Sequence, residues 1–168
     1  MLRIAQLLLA GSLLGLLGCE QDGPTEVATL ATAPLVVRPA AGKCQTRITL
    51  LSQDATGQTL QINGECHLRH LGLVTAVFTE RVTFTGPTTV VFNSQDMVYS
   101  AANGDELHAT IDDGAATITA GIVTLTGTEV YHGGTGRFAA ATGSADITGH
   151  ASLITFTGGY ETSGSIGF

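Results

Sequence analysis

The fold of this 168-residue chain is decided by the stretch LVTAVFTERVTF, residues 73–84. Apolar side chains recur along it at every second position: Val74, Ala76, Phe78, Val82 and Phe84. The positions between them are mostly polar, with Thr75, Thr79, Arg81 and Thr83. A period of two is typical of a β-strand that buries one face. The stretch therefore predicts a long strand with its even-numbered residues in the core.

Short alternating runs of the same kind fill the chain from Cys44 to Phe168. Gly, Thr and β-branched residues dominate there, Trp is absent, and no amphipathic helix is evident. We count about eight strands, the number that closes a small barrel. Turns are expected at Asn103-Gly104, at residues 112–114 and near Gly158-Gly159. The predicted fold is all-β, a single small antiparallel β-barrel, and an open two-sheet sandwich is the alternative.

The first two strands predict a disulfide bond. A hairpin that turns near Ala55 aligns their apolar residues in pairs: Leu50 with Leu60 and Ile48 with Ile62. The same register places Cys44 opposite Cys66 on the apolar face, within or near the reach of a disulfide. Closing this loop would contribute about 3 kcal/mol to stability. Two buried free thiols are the alternative.

The N-terminal segment resembles the signal peptide of a bacterial lipoprotein. Arg3 precedes an apolar run that ends in the sequence LLGC, with Cys19 as its last residue. The run is shorter than the roughly 20 apolar residues of a transmembrane helix. The resemblance implies cleavage before Cys19 and a diacylglycerol on its sulfur, and an ordinary secretory signal is the alternative. We therefore divide the chain into a signal peptide (1–18), a lipidated tether (19–42) and a barrel domain (43–168).

Charge and anchoring together define the expected partners and location. Without Arg3 the mature chain has 6 Lys and Arg against 14 Asp and Glu, a formal charge of −8. This balance disfavours binding to nucleic acid. Membrane attachment would come from the acyl chains on Cys19. In enteric bacteria, an Asp directly after the lipidated cysteine retains a lipoprotein in the inner membrane. Because Glu20 stands at that position here, the expected location is the bacterial cell envelope, at the outer membrane.

Three further segments carry a family resemblance: HLG at 70–72, AANGD at 101–105 and GGTGRFAAATG at 133–143. Together they resemble bacterial proteins of the allene oxide cyclase barrel-like group, which are related in architecture to plant dirigent proteins. The resemblance implies an eight-stranded antiparallel barrel with an apolar interior, oligomeric in many plant relatives. In the third segment, Phe138 can plug one barrel end while Arg137 reaches a nearby carboxylate or carbonyl. Binding of phosphate by these glycines is disfavoured because β-structure rather than a helix follows.

Glu80 is the candidate ligand contact. It occupies the apolar face of its strand, between Phe78 and Val82. Unbroken alternation would place the carboxyl inside the barrel, where burial raises its pKa. A bulge before Glu80 would instead turn it outward, toward Arg81 or solvent, and this is the orientation we favour because an unpaired buried carboxylate is costly.

Other polar residues do not form a recognisable site. His67 and His70 are three apart on a strand and so face opposite sides. Residues 112–114 lack the further oxygen ligands of a calcium loop, and no nucleophile elbow occurs. We assign no catalytic, cofactor-binding or metal-binding residues, and a function without catalysis is favoured over an enzymatic one.

Three functions follow from these features. The favoured one is a lipid-anchored envelope protein whose barrel serves as a scaffold or interaction module. The alternatives are a carrier of a small apolar ligand in the barrel, and an allene-oxide-cyclase-like isomerase acting on an oxidised lipid. A core filled by Phe78, Phe84 and Phe156 would favour the scaffold. A connected apolar cavity with Glu80 pointing into it would favour the other two.

Overall fold

The computed structural model describes residues 35–168. The predicted signal peptide, Cys19 and the tether as far as residue 34 lie outside the described residues. The first strand begins at Val37, inside the segment that the sequence analysis assigns to the tether. Residues 37–42 pair with the last strand, and the side chain of Ala40 is buried in the core.

Eight strands and one short 3₁₀ helix make up the described chain. The strands are β1 (Val37–Gln53), β2 (Gly57–Leu68), β3 (Gly72–Phe84), β4 (Thr89–Ala101), β5 (Glu106–Thr119), β6 (Ile122–Gly134), β7 (Thr142–Ser152) and β8 (Thr157–Gly167). The 3₁₀ helix, Gly136–Phe138, lies between β6 and β7. Within residues 35–168 no helix is long and apolar enough to cross a membrane.

The strands close into one antiparallel barrel. Each strand pairs with the next along the chain, and β8 returns to pair with β1 from Val37–Gly167 to Arg47–Thr157. Closure satisfies the backbone groups that an open sheet would leave at its edges. The prediction of a single eight-stranded antiparallel barrel is confirmed, and the open sandwich is not formed.

The first hairpin has the predicted register. Leu50 lies opposite Leu60 and Ile48 opposite Ile62, and the Cys44–Cys66 pair is joined by a disulfide. Both cysteines are buried on the interior face. The chain turns at residues 54–56, as expected.

The turn predicted at residues 112–114 is wrong. These residues lie inside β5, and the chain reverses at Ala120 and Gly121 instead. Gly114 lies directly opposite Phe92, and a Cβ at Gly114 would come within 2.2 Å of the Phe92 ring. Gly114 therefore leaves room for the Phe92 ring to lie across β5. Irregular pairing with β6 between Ile111 and Ala115 accommodates Asp112 and Asp113.

The turn predicted near Gly158 and Gly159 is also wrong. Both glycines lie in β8, and the turn between β7 and β8 comprises residues 153–156. A Cβ at either glycine would come within 2.7 Å of a backbone carbonyl oxygen, of His150 or of Cys44. These glycines allow neighbouring strands to approach closely. In the sequence, a pair of glycines with this role looks the same as a pair that forms a turn.

One end of the barrel, here called the closed end, is sealed by the 3₁₀ helix. Phe138 is fully buried there, and its ring meets Phe168 edge to face at 5.0 Å. Arg137 lies over the Phe138 ring, with its Nε 3.7 Å from the Asp105 carboxylate. The predicted roles of both residues in the glycine-rich segment are confirmed.

Candidate functional site

A cavity of about 330 Å³ occupies the other half of the barrel. Its deepest walls are buried apolar side chains that point inward from several strands: Ile62, Phe78, Phe92, Ile111 and Ile147. The cavity extends toward the end of the barrel that carries the turns at 54–56, 85–88, 120–121 and 153–156, here called the open end. The barrel is thus sealed at one end and hollow toward the other.

Aromatic and aliphatic side chains surround the mouth of this cavity. Phe84, Leu153 and Phe156 all line it, and each keeps 43–50 % of its surface exposed. Phe84 and Phe156 therefore lie at the rim and do not meet Phe78 in a filled centre. The core contains the connected apolar cavity that the sequence analysis associates with ligand binding.

Glu80 faces this cavity, so the outward orientation favoured from the sequence is wrong. The ladder between β2 and β3 is unbroken, and it places Glu80 opposite Leu60. The pairing of β3 with β4 is irregular in this region, since Val77 pairs with Val98 and Arg81 with Asn93. Between these two pairs β4 has one residue more than β3, which is a β-bulge on β4. Because β4 carries the extra residue, the alternation of β3 is preserved and Glu80 stays on the inner face.

The β4 bulge also satisfies the backbone near Glu80. The Thr79 amide donates to Asp96 Oδ1 at 2.8 Å, in place of a ladder partner on β4. Arg81 points away from the cavity and pairs with Asp54 at 2.9 Å. The guanidinium closest in sequence is therefore engaged outside the barrel and does not neutralise Glu80.

The environment of Glu80 changes its protonation. Within residues 35–168 no side chain donates a hydrogen bond to its carboxyl group. Burial among apolar side chains raises the pKa of Glu80 from 4.5 to about 7. Near neutral pH the group is therefore present both as an acid, which donates a hydrogen bond, and as a carboxylate, which accepts one.

A buried polar cluster lies beyond the cavity, deeper in the barrel. Tyr99 and Tyr131 donate to the two carboxyl oxygens of Glu129 at 2.6 and 2.5 Å. The hydroxyls of Tyr99 and Tyr160 are 3.0 Å apart. Of these four residues, Tyr160 alone lines the cavity. The cluster therefore connects a fully buried carboxyl group to the cavity through two hydroxyls.

Burial determines the protonation of the tyrosines. It raises the pKa of Tyr99, Tyr131 and Tyr160 above the ordinary value, and repulsion from Glu129 adds to the effect. All three phenols thus keep their protons in the physiological range. Burial also raises the pKa of Glu129, while the hydrogen bonds from Tyr131 and Tyr99 act in the opposite direction.

This cluster was not predicted from the sequence, although β6 carries one signal for it. Glu129 and Tyr131 continue the inward alternation of Val123 and Leu125 along β6. A carboxyl and a phenol two positions apart on an apolar face indicate a buried hydrogen-bonded pair. Tyr99 and Tyr160 are brought to it only by closure of the barrel.

The remaining sequence candidates are found at separate places. The disulfide lies beside the cluster, with Cys66 Sγ 3.9 Å from the Tyr160 hydroxyl. His67 and His70 are both exposed. In the part of the chain that the structure describes, no three His, Cys, Asp or Glu side chains are grouped to hold a metal ion.

Comparison with known proteins shows similarity at the level of fold. No protein-family model and no curated protein matches the sequence. Two solved structures of pterocarpan synthase dirigent proteins are similar, each with a TM-score of 0.54. PsPTS1 shares 13 % identity, over 79 % of this chain and 95 % of its own. GePTS1 shares 12 % identity, over 82 % and 88 % respectively. The chain thus has a dirigent-like β-barrel fold.

Proposed function

We propose that the barrel binds a small apolar ligand in its cavity, with Glu80 as a polar contact. The observation that carries this proposal is the connected apolar cavity of about 330 Å³ with a carboxyl group on its wall. Ligand sites are typically concave, mostly apolar and about 300–1,000 Å³ in volume, with a few polar groups that orient the ligand. The cavity favours a ligand carrier over a purely structural scaffold.

Leaving the Glu80 carboxyl group without a hydrogen-bond partner costs free energy, which a bound ligand would offset. A carboxyl group without a hydrogen-bond partner is unfavourable in an apolar environment. A ligand with one polar atom near Glu80 would supply that partner while its apolar body covers the surrounding wall. The combination favours an amphipathic molecule over a pure hydrocarbon.

We also propose that the protein is anchored in a bacterial envelope through lipid on Cys19. The apolar run before that cysteine and the small residues beside it support this assignment. Two or three acyl chains would hold the chain at a membrane durably. The barrel would then be a carrier domain tethered at the membrane surface.

Catalysis on the bound ligand is the second candidate function. The pKa of Glu80, about 7, is suited to a general acid or base at neutral pH. The dirigent proteins with a similar fold are described as pterocarpan synthases. An allene-oxide-cyclase-like isomerisation of an oxidised lipid is the reaction we would test first, by mass analysis of the ligand after incubation.

Two neighbouring alanines on β5 allow a matched test of binding. Ala116 is buried and lines the cavity, whereas Ala115 faces solvent. In a titration with the neutral fluorophore N-phenyl-1-naphthylamine, we expect Ala116→Phe to weaken binding at least tenfold because its ring fills the cavity. Ala115→Phe should bind as the wild type does. Equal binding by both variants, or no binding by the wild type, would contradict the proposal.

A further inference from the structure

We infer that the inner end of the cavity selects a ligand hydroxyl, which donates its hydrogen bond to the oxygen of Tyr160. This inference rests on the proposed binding function and names the chemical class of the ligand, a small apolar alcohol. It follows from counting the protons of the buried cluster and the hydrogen bonds in which they are used.

Glu129 is the end point of the hydrogen bonds in the buried cluster. Both of its oxygens accept a tyrosine O–H, from Tyr99 at 2.6 Å and from Tyr131 at 2.5 Å. An ionised Glu129 has no proton to donate, so in this state, which high pH favours, both hydrogen bonds run from a tyrosine to the carboxylate. Each phenol has a single proton. The protons of Tyr99 and Tyr131 are therefore both used on Glu129.

Tyr160 is the member of the cluster next to the cavity. Its hydroxyl is 3.0 Å from that of Tyr99, and one of the two must donate. Tyr99 has already given its proton to Glu129, so Tyr160 is the donor. The other neighbour, Cys66 Sγ at 3.9 Å, belongs to a disulfide and carries no hydrogen. The hydrogen bonds thus run in one direction, from Tyr160 to Tyr99 to Glu129.

Tyr160 offers a hydrogen-bond acceptor to a ligand. Its side chain lines the cavity although the residue is 92 % buried. When Tyr99 donates to Glu129, no group within residues 35–168 donates a hydrogen bond to the Tyr160 oxygen. The proton of Tyr160 is directed away from the cavity, which leaves an acceptor without a donor. A ligand hydroxyl satisfies this acceptor, whereas an ether or ketone oxygen would place lone pairs against lone pairs.

Two isomers separate these ligand classes. 1-Nonanol and 1-methoxyoctane have the same formula and chain length, but only the alcohol donates a hydrogen bond. We would titrate each into the full chain with Cys19→Ala at pH 8, so that no acyl chain or detergent competes for the cavity. The wild-type barrel should bind the alcohol about fivefold more tightly, the difference expected of one hydrogen bond.

Three isosteric variants test the direction of the chain of hydrogen bonds. Tyr160→Phe removes this acceptor and should reduce the preference for the alcohol to what the Glu80 carboxylate alone supports. Tyr99→Phe frees the Tyr160 proton, which can then turn toward the cavity, so 1-methoxyoctane should bind more tightly than it does to the wild type. Tyr131→Phe, the matched control, removes the hydroxyl of another buried tyrosine but leaves the Tyr160–Tyr99 bond in place and should keep the preference. Circular dichroism would verify that each variant is folded.

The outcomes distinguish this inference from the proposed function. If both compounds bind the wild type equally, or if Tyr160→Phe keeps the full preference for the alcohol, the inference is wrong while ligand binding stands. If neither compound binds, the proposed function fails and the inference fails with it. If Tyr160→Phe does not fold, the Tyr99→Phe variant tests the inference. Tighter binding of 1-methoxyoctane than by the wild type supports it, and unchanged binding contradicts it.

Discussion

Glu80 lies directly opposite Leu60 in the ladder between β2 and β3, and both side chains line the cavity. Ionisation of the carboxyl group is unfavourable in this place, because desolvation among apolar side chains raises the pKa of Glu80 to about 7. The exposed carboxyl of Glu65, on the opposite face of β2, has no such cost. Comparing Glu80 with Glu65 therefore separates the effect of burying a carboxyl group on stability from the effect of its charge.

Replacing Glu80 with glutamine should stabilise the protein at high pH. Burial raises the pKa of Glu80 to about 7 in the folded state, against about 4.5 when unfolded. Between these values the folded state holds a proton that the unfolded state has released, so stability falls as pH rises through this window. Glutamine cannot ionise. We expect Glu80→Gln to be more stable than wild type by about 1–3 kcal/mol at pH 8 and nearly equal at pH 4.

Urea unfolding at the two pH values would measure this difference. Glu65→Gln is the control, and as a surface substitution it should change stability by less than about 0.5 kcal/mol at either pH. A Glu80→Gln variant that behaves as Glu65→Gln does at both pH values would show that the carboxyl of Glu80 is effectively solvated.

Removing the disulfide should lower stability by about 2–4 kcal/mol, since Cys44 and Cys66 close a loop with a sequence separation of 22 residues. The double variant Cys44→Ala/Cys66→Ala would be compared with the wild type by urea unfolding, with and without reductant. Reductant should destabilise the wild type and leave the double variant unchanged. Equal sensitivity of the two proteins would indicate that another thiol is responsible.

Truncation of Phe138 should open the closed end of the barrel. Its ring is fully buried against Phe168, so Phe138→Ala is expected to cost about 3–5 kcal/mol. Phe84→Ala is the matched control because its ring lies half-exposed at the cavity mouth. Thermal unfolding of the two variants should give a much larger drop for Phe138→Ala. Similar drops would mean that the two ends of the barrel contribute equally to its stability.

Local alternation was sufficient to predict β2, β3, the part of β1 that follows Cys44, and the disulfide. In this region β1, β2 and β3 keep nearly continuous registers, so the inward face of one strand follows from that of its neighbour. Glycine was the main source of error. Gly114 and Gly158 lie within strands, where a missing side chain makes room for Phe92 or for a neighbouring backbone. Sequence alone does not distinguish such a close approach from a turn.

The site was harder to predict because it depends on pairing across the whole barrel. The orientation of Glu80 depends on which strand carries the bulge, and the extra residue is on β4 rather than β3. The tyrosine cluster joins β4, β6 and β8, whose residues are adjacent only after closure. Each of its members taken singly resembles an ordinary core or surface residue.

The proposed lipid anchor makes the last prediction. If Cys19 carries a diacylglycerol, Cys19→Ala should release the protein from the membrane fraction and remove the mass of the acyl groups. The barrel should still fold, because Cys44 and Cys66 supply its disulfide without Cys19. Fractionation with and without carbonate washing, together with intact-mass analysis, would measure both effects. Cys44→Ala/Cys66→Ala is the control, since it removes two cysteines but should keep the anchor. A Cys19→Ala protein that stays with the membrane would contradict lipidation and require another means of attachment.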